Sequence, residues 1–274
     1  MQGDVVRCCG ELVGTVEVLT DFVAPHDGVV AAVSTRRGGV SRPPYDSANM
    51  ALHVGDDPVA VVENRRRFCS AVGIDPDDLV CAEQVHGNRV ARVTESDRGS
   101  GATNRSASLS GVDGLLTDVP ALPLAVFTAD CVPVLLYESA RKVVGIAHAG
   151  WRGTTLGIAR TLVKALQEYF GGDPESCRIA LGPSAGPCCY EVGDDVVTAF
   201  RQHGHPVELV FSGGATGRPH LNLWEANTLQ LEQCGVLRRN VVWTKRCSVC
   251  SSAHFSSRRD GAVAGRNMSV IMLE

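Results

Sequence analysis

Residues 124–153 read LAVFTADCVPVLLYESARKVVGIAHAGWRG, and this stretch decides the fold. It contains three short apolar runs, at 124–128, 132–137 and 142–147. Their length and β-branched content predict strands that are buried within the protein. The most apolar window, 121–137, is interrupted by Thr128, Asp130 and two prolines. We therefore interpret it as strand material and not as a membrane span.

The flanking sequence supplies helices and further strands. Helices are predicted at 58–72 after an Asp-Pro start, at 155–170 from an apolar stripe, and at 222–234 after an Asn cap. Further strands are predicted at 28–34, 78–82, 178–181 and 240–244. Helices and strands follow one another irregularly, which favours an α+β fold with mixed sheets over a regular βαβ winding.

Composition limits the class of protein. The chain has 274 residues, of which 44% are apolar and 20% charged, so it can bury a substantial core. Its formal net charge is −4 and no strongly basic segment is present, which argues against nucleic-acid binding. Eleven cysteines, an odd number, and an N-terminus unlike a signal peptide predict a soluble cytoplasmic protein. The sequence leaves the oligomeric state open.

One long polar segment, residues 94–111 (TESDRGSGATNRSASLSG), exceeds ordinary connection lengths. We interpret it as a mobile loop within a single domain that covers residues 1–274, because chemically informative strings lie on both sides of it.

Three strings place metal-binding side chains just after apolar runs: His86 in QVHG, Cys131 in TADC and His148 in HAGWRG. Two imidazoles and one thiolate leave the fourth position of a tetrahedral Zn²⁺ open, as in a catalytic site. The three residues do not form a compact motif, however. A histidine at a strand end is also compatible with an ordinary hydrogen-bonded residue, so the residues alone leave both interpretations open.

Other segments are candidates for anion binding. A strand is predicted to end near His148 and the helix at 155–170 to follow, so helical N–H groups and Arg152 could bind phosphate or carboxylate. A tight glycine turn with Trp151 in the core explains the same residues. The arginine-rich segments 34–41 and 255–261, with the later Arg266, could hold an anionic substrate or be solvated turns.

Two pattern matches are set aside. Residues 182–186 fit G-x-S-x-G around Ser184, but prolines flank the serine where a sharp turn should lead into a helix. Cys247, Cys250 and His254 offer three zinc ligands, yet no second C-x-x-C completes a closed site. We interpret these cysteines as free thiols.

Taken together, the strings resemble the YfiH-like family, whose members are known as laccase-domain proteins (formerly multicopper polyphenol oxidases) and as purine nucleoside phosphorylases. The resemblance extends over almost the whole chain, and HAGWRG combined with TADC is its most specific part. The matching strings are STRRGGVS, PPYDSANMALHVGDDP, EQVHG, VDGLLT, TADCVPVLL, HAGWRGT, LGPSAGPCCYEVG, LNLWEAN and HFSSRRDG with GR.

The resemblance implies a single-domain α+β sandwich of mixed sheets flanked by helices, with one Zn²⁺ per chain. It implies phosphate-dependent cleavage of adenosine, inosine, guanosine and S-methyl-5'-thioadenosine, together with adenosine deamination. By matching position, the metal-binding and catalytic residues are His86, Cys131 and His148. Residues in other matched strings become candidates for substrate contact, namely Arg36, Asn49, Gln84, Asp113 and Arg152.

The sequence leaves alternatives open for both the metal and the reaction. Copper is a second metal candidate, because intrinsic affinity favours it at a His/Cys site. A multicopper cluster needs many imidazoles, whereas this chain has eight histidines and one H-x-H pair, at His203 and His205. The signature of zinc nucleobase deaminases is absent, so any deamination would use another site design. An amide hydrolase acting on a cell-wall precursor is the alternative function, and phosphate dependence separates it from phosphorolysis.

Overall fold

The computed structural model describes residues 12–13, 16–19, 22, 27–213 and 217–274. Its strands are β1 (Leu12–Val13), β2 (Val16–Val18), β3 (Val29–Ser34), β4 (Val80–Glu83), β5 (Val90–Arg92), β6 (Leu109–Ser110), β7 (Gly114–Thr117), β8 (Leu124–Thr128), β9 (Val132–Glu138), β10 (Val143–Ala149), β11 (Cys177–Leu181), β12 (Phe211–Gly213), β13 (Pro219–Leu221), β14 (Val241–Trp243) and β15 (Asn267–Leu273). Its α-helices are α1 (Pro58–Ala71), α2 (Trp151–Thr155), α3 (Ile158–Phe170), α4 (Asp194–Gln202), α5 (Val207–Val210), α6 (Leu223–Glu232) and α7 (Ser257–Asp260). Within these described ranges, no helix has the length and apolar character needed to cross a membrane.

The strands form two large mixed sheets. One has seven strands in the order β1-β2-β3-β15-β8-β4-β6, and the other has six in the order β14-β11-β9-β10-β7-β5. Most neighbouring strands are antiparallel. The parallel pairs are β4–β8, β4–β6, β11–β14 and β5–β7. This arrangement confirms the predicted α+β single domain with mixed sheets.

The central strands are largely apolar because both of their faces are buried. In β9, Leu135 and Tyr137 pack between the two sheets, whereas Val134 and Leu136 face the layer formed by α3 and α6. In β8, alternate residues enter the inter-sheet core and a third cluster that contains Phe68 of α1. Successive side chains of a strand point to opposite faces, so the molecule has four layers, with helices outside both sheets.

Two of the three predicted helices are confirmed by their caps. The Asp57 side chain accepts a hydrogen bond from the N–H of Val59 at the start of α1, which begins with Pro58. The Asn222 side chain accepts one from the N–H of Glu225 at the start of α6. These side chains satisfy N–H groups that have no partner within the helix, which is why the sequence signal was reliable.

The helix predicted at 155–170 is confirmed as α3, but its predicted start is wrong, because α2 and α3 are separated at Gly157. This glycine has φ 84° and ψ 39°, a left-handed conformation that interrupts the helix. The apolar stripe correctly described α3 but could not reveal the break. The corner after His148 therefore begins α2, a helix of five residues, and not the long helix whose N-terminus was expected to bind an anion.

The segment 94–111, which was predicted to be a mobile loop, contains short elements of secondary structure. It contains 3₁₀ turns at Glu95–Asp97 and Arg105–Ala107, and β6 pairs with β4. The buried Arg65 donates hydrogen bonds of 2.8 and 2.6 Å to the carbonyls of Gly101 and Ala102. Polar residues form local caps here, which single-sequence composition does not distinguish from a loop. Mobility of the segment stays a prediction.

Gly157→Ala is expected to lower the free energy of unfolding by about 1 to 2 kcal/mol, the cost of holding an L-residue in the left-handed region. A Cβ atom at this position meets nothing closer than 3.6 Å, so the cost comes from the backbone. Gly157→Asn is the matched control and should lose less, since asparagine tolerates this conformation better. Urea unfolding measures both, and equal stability of both variants with the wild type would contradict the backbone argument.

Candidate metal centre

Strand pairing brings three distant residues together. His86 follows β4, Cys131 lies between β8 and β9, and His148 lies near the end of β10. The pairing of His148 with Pro133 sets it opposite the start of β9. Because β4 and β8 are parallel neighbours, the residues that follow them emerge at the same edge of the sheet. The mixed topology thus assembles the site that the three sequence strings predicted.

The three side chains are close enough to share one ion. Their potential ligand atoms all lie within 4.8 Å of one another. The rings of His86 and His148 meet edge to face with centroids 4.8 Å apart. His86 has φ 61° and the neighbouring Asp130 has φ 89°, backbone conformations that are uncommon outside glycine. Such residues cluster at functional sites, where the surrounding structure holds them in place.

Asp113 orients His148 and the turn that carries His86. Its Oδ1 atom lies 2.8 Å from Nδ1 of His148, which leaves Nε2 of that ring for a metal. The same carboxylate accepts hydrogen bonds from the N–H groups of Val85, His86 and Gly87 at 3.2, 3.0 and 2.8 Å. A carboxylate on the second nitrogen is the usual partner of a metal-binding histidine. Asp113 is fully buried, so the structure gives it a positioning role and not the predicted contact with substrate.

The site favours a charged pair of side chains in the metal-free protein. Desolvation alone would raise the pKa of Cys131, but the positive charge of His148 and hydrogen bonds from both histidines lower it to about 6. Desolvation alone would lower the pKa of His148, yet the Cys131 thiolate and the bond to Asp113 raise it to about 9. A thiolate ready to bind a cation is thus present at neutral pH.

Gly150 keeps space for the site. A Cβ atom at this position would lie 2.8 Å from Sγ of Cys131 and 3.2 Å from Cδ2 of His86. The first glycine of HAGWRG is therefore required, because these groups approach its backbone closely. The N₂S donor set, the oriented imidazole and this space together suit a thiophilic metal ion with an open position.

A cavity of about 580 Å³ opens above the three residues. The aromatic residues Phe127 and Tyr190 line it, together with Arg258 and Arg266. The Arg258 guanidinium lies 5.4 Å from the centre of the Tyr190 ring. The cavity thus combines apolar faces with positive charge beside the candidate metal position. Of these four residues, the sequence analysis named only the two arginines. It left open whether they hold an anionic substrate or belong to solvated turns.

His53 is a cavity residue that sequence reasoning missed. Although much of its surface reaches solvent, desolvation in the cavity and the positive charges of Arg266, Arg105 and Arg65 lower its pKa to about 4. Its imidazole is therefore neutral near pH 7. A signal existed, because His53 stands in the matched string PPYDSANMALHVGDDP, but nothing in that string distinguishes it from its neighbours.

Two predicted substrate contacts have structural partners. Gln84 lines the cavity, but its amide pairs with the backbone N–H and carbonyl of Phe127, both at 2.8 Å. Asn49 is fully buried, and its Oδ1 atom accepts a hydrogen bond of 2.9 Å from the N–H of Arg266. Asn49 therefore positions the arginine that lines the cavity, and the prediction of direct contact is corrected.

The two arginines that were predicted to contact substrate, Arg36 and Arg152, do not line the cavity. Arg36 pairs with Asp260 at 3.1 Å and donates to the carbonyl of Asp46. Arg152 is exposed above the ring of Trp151 and lines a neighbouring depression, which shares Tyr190 and Arg258 with the cavity. The arginines that line the cavity are Arg258 of α7 and Arg266 of the turn before β15.

The two patterns set aside have different outcomes. Ser184 is fully buried, so it cannot serve as an exposed nucleophile. Cys247 and Cys250 are free thiols, as predicted, but the vicinal pair Cys188 and Cys189 joins them in a cluster that the sequence did not indicate. The missing partners lie about sixty residues earlier in the chain, which a search for a second C-x-x-C could not find.

Comparison with known proteins identifies the family of this chain. A family model described as multi-copper polyphenol oxidoreductase laccase matches residues 30–274. The chain belongs to this family. Purine nucleoside phosphorylase YlmD of Geobacillus stearothermophilus is 43% identical, over 90% of this chain and 91% of the relative. Adenosine deaminase RL5, from an unknown prokaryotic organism, is 39% identical over 92% and 96%. The crystal structure of Bacillus licheniformis YfiH is 38% identical, with a TM-score of 0.91 over 96% and 97% of the two chains.

The H-x-H pair stands apart from the groups that could hold a metal in this laccase-family chain. Nε2 of His205 lies 2.9 Å from the carbonyl of Thr155, and Nδ1 of His203 lies 2.9 Å from that of Ala199. Within the described residues, the groups of side chains suited to a metal are the His86, Cys131 and His148 centre and the four-cysteine cluster. Neither group contains this pair.

Asp113→Asn is expected to weaken metal binding by about 10- to 100-fold, because the amide loses the charged hydrogen bond that orients His148. Asp118→Asn is the matched control, since Asp118 is an exposed partner of Arg92. Competition with a chromophoric chelator measures both affinities. Unchanged affinity in Asp113→Asn would contradict the positioning role of this carboxylate.

Alkylation of the metal-free protein by iodoacetamide should be fast at Cys131, with a midpoint near pH 6. The direction follows from the lowered pKa, because the thiolate predominates above that pH. Cys177 is an internal control, since burial and the nearby Glu138 and Asp173 raise its pKa to about 12. Mapping by mass spectrometry separates the two sites. A Cys131 midpoint near the ordinary thiol pKa of about 8.5 would contradict the electrostatic account.

Proposed function

We propose that this protein is a zinc-dependent purine nucleoside phosphorylase that cleaves adenosine, inosine, guanosine and S-methyl-5'-thioadenosine with phosphate. The observation that carries the proposal is the convergence of His86, Cys131 and His148 at a cavity with aromatic and cationic walls. The name of the YlmD relative supports the same reaction.

Phosphorolysis requires an oriented anion beside the sugar. As the N-glycosidic bond breaks, positive charge develops on the ribose ring and negative charge on the purine. Arg258 and Arg266 are the proposed phosphate ligands, because guanidinium groups match phosphate oxygens geometrically. Asn49 holds the backbone of Arg266, and Asp130 accepts a 2.7 Å hydrogen bond from the N–H of Arg258. These contacts fix both arginines at the backbone, which limits the entropic cost of orienting phosphate.

The purine is proposed to lie against the aromatic walls. Phe127 and Tyr190 present ring faces or edges on which a planar base packs favourably. His53 stands edge-on to Phe127, with ring centroids 6.5 Å apart. Because this imidazole is neutral near pH 7, it has one ring nitrogen that donates and one that accepts a hydrogen bond. It is thus suited to bind the departing base without adding a charge.

Zinc is the proposed metal, with His86, Cys131 and His148 as its ligands. An ion held by these three residues would supply Lewis acidity beside the cavity. Copper remains the alternative, since it binds the same donor set with high intrinsic affinity. Asp113 would orient His148 for either ion, so metal analysis is needed to distinguish them.

Adenosine deamination is proposed as a second activity of the same cavity. The name of the relative RL5, with 39% identity over 92% of this chain, supports it. Both reactions need a purine nucleoside in the same place but differ in the bond that breaks. Phosphate dependence is diagnostic, because deamination and the alternative amide hydrolysis use water in place of phosphate. The cytoplasm, where nucleosides and phosphate are both present, is the proposed compartment.

The test is release of hypoxanthine from inosine with and without phosphate. The wild type should require phosphate, and Cys131→Ala should lose at least about 100-fold in rate, since a Lewis acid contributes several kcal/mol. Arg258→Ala should raise KM for phosphate, whereas Arg239→Ala is the matched control on the exposed surface. Phosphate-independent release, or a folded Cys131→Ala variant with the wild-type rate, would refute the proposal.

A further inference from the structure

Four cysteine side chains converge at a second place in the fold, outside the candidate metal centre. Cys188 and Cys189 precede Tyr190, and Cys247 and Cys250 lie between β14 and α7. We propose that these four thiolates form a closed structural site for one Zn²⁺ ion. This site is separate from the proposed catalytic function, which does not use these side chains.

The sulfur positions suit a single ion. All four Sγ atoms lie within 4.8 Å of one another. The sulfur of Cys250 is 3.2 Å from that of Cys189 and 3.6 Å from that of Cys188. Zn–S bonds of about 2.3 Å in a tetrahedron place the sulfurs about 3.8 Å apart, so small side-chain adjustments suffice. Four thiolates complete the coordination of zinc, as in structural and not catalytic sites.

Backbone geometry at Cys247 supports thiolate binding independently. Its sulfur accepts a hydrogen bond of 3.3 Å from the N–H of Gly186 and another from the N–H of Cys250. Backbone donors directed at a sulfur stabilise the charged form that a metal requires. Cys247 and Cys250 form a C-x-x-C turn, the spacing found in zinc sites, and the vicinal pair supplies the other two ligands.

Core packing does not explain this cluster. A free cysteine normally behaves as a small buried hydrophobe, yet Cys188 and Cys250 are exposed. Cys69 and Cys81 show the ordinary pattern, since both are buried in the core cluster that contains Phe68 of α1. Exposure at the cluster also gives a metal ion a route to the sulfurs from solvent.

The site would join the segment that carries Tyr190 to the segment that contacts Asp130, and both Tyr190 and Asp130 line the cavity. Ser184 and Cys247 form a bridge between the segments, and the hydroxyl of Ser248 donates a 2.6 Å hydrogen bond to Asp130. Tyr190 follows Cys189 directly and lines the cavity. An ion at the four sulfurs would therefore hold Tyr190 and the neighbourhood of Asp130 in place, although it touches no substrate.

Metal content of protein purified without a histidine tag provides the test. The wild type should contain two zinc ions per chain, and Cys131→Ser, which removes a ligand of the other centre, should contain one. The double variant Cys247→Ser/Cys250→Ser should also contain one, and the triple variant should contain none. Cys234→Ser is the matched control outside both groups and should retain two.

Cys131→Ser also keeps the test decisive if cluster variants fail to fold, because it leaves all four cluster cysteines intact. Loaded with Co²⁺ alone, it should show intense thiolate charge transfer, and its four cluster thiols should resist Ellman's reagent until a chelator is added. A Cys131→Ser protein without zinc, with four reactive cluster thiols, would overturn the proposal. So would a Cys189–Cys250 disulfide in protein prepared under reducing conditions. Because no readout is catalytic, failure here is distinguishable from failure of the proposed function.

Discussion

The buried carboxylate of Asp113 is the interaction on which the candidate metal centre depends. One side chain fixes the ring of His148 and, through three backbone N–H groups, the turn that carries His86. A charge so deeply buried is costly unless it is fully hydrogen-bonded, and here each oxygen has partners. The same bonds that make its burial tolerable also fix the positions of two of the three proposed metal ligands.

The fold explains why the site lies where it does. The central strands are buried on both faces, so the polar side chains of the site appear where strands end. The ends of β4 and β8 meet the start of β9 and the end of β10 at one edge of the sandwich. Segments from the C-terminal part of the chain then close over this edge, and Arg258 and Arg266 add positive charge there.

Much of this arrangement could be predicted from the sequence, and the exceptions have physical reasons. Apolar runs located the central strands, since burial on two faces leaves a continuous pattern. The three strings offered His86, Cys131 and His148 as candidate ligands, and only the family resemblance made the metal site the preferred interpretation. Spacing could not do so, because sheet topology and not chain distance joins His86 to Cys131. The break at Gly157 escaped because an amphipathic stripe is insensitive to one left-handed residue. Asn49 and Asp113 were interpreted as substrate contacts because sequence does not distinguish a residue that binds from one that positions its neighbour.

Anomalous diffraction at the zinc absorption edge, on crystals grown without added metal, tests the central claim most directly. The account predicts a peak within bonding distance of Sγ of Cys131, Nε2 of His148 and a ring nitrogen of His86, with a fourth position free for a ligand from the cavity. Crystals in which no ion lies between these three side chains, although they bind inosine and phosphate and turn them over, would contradict it.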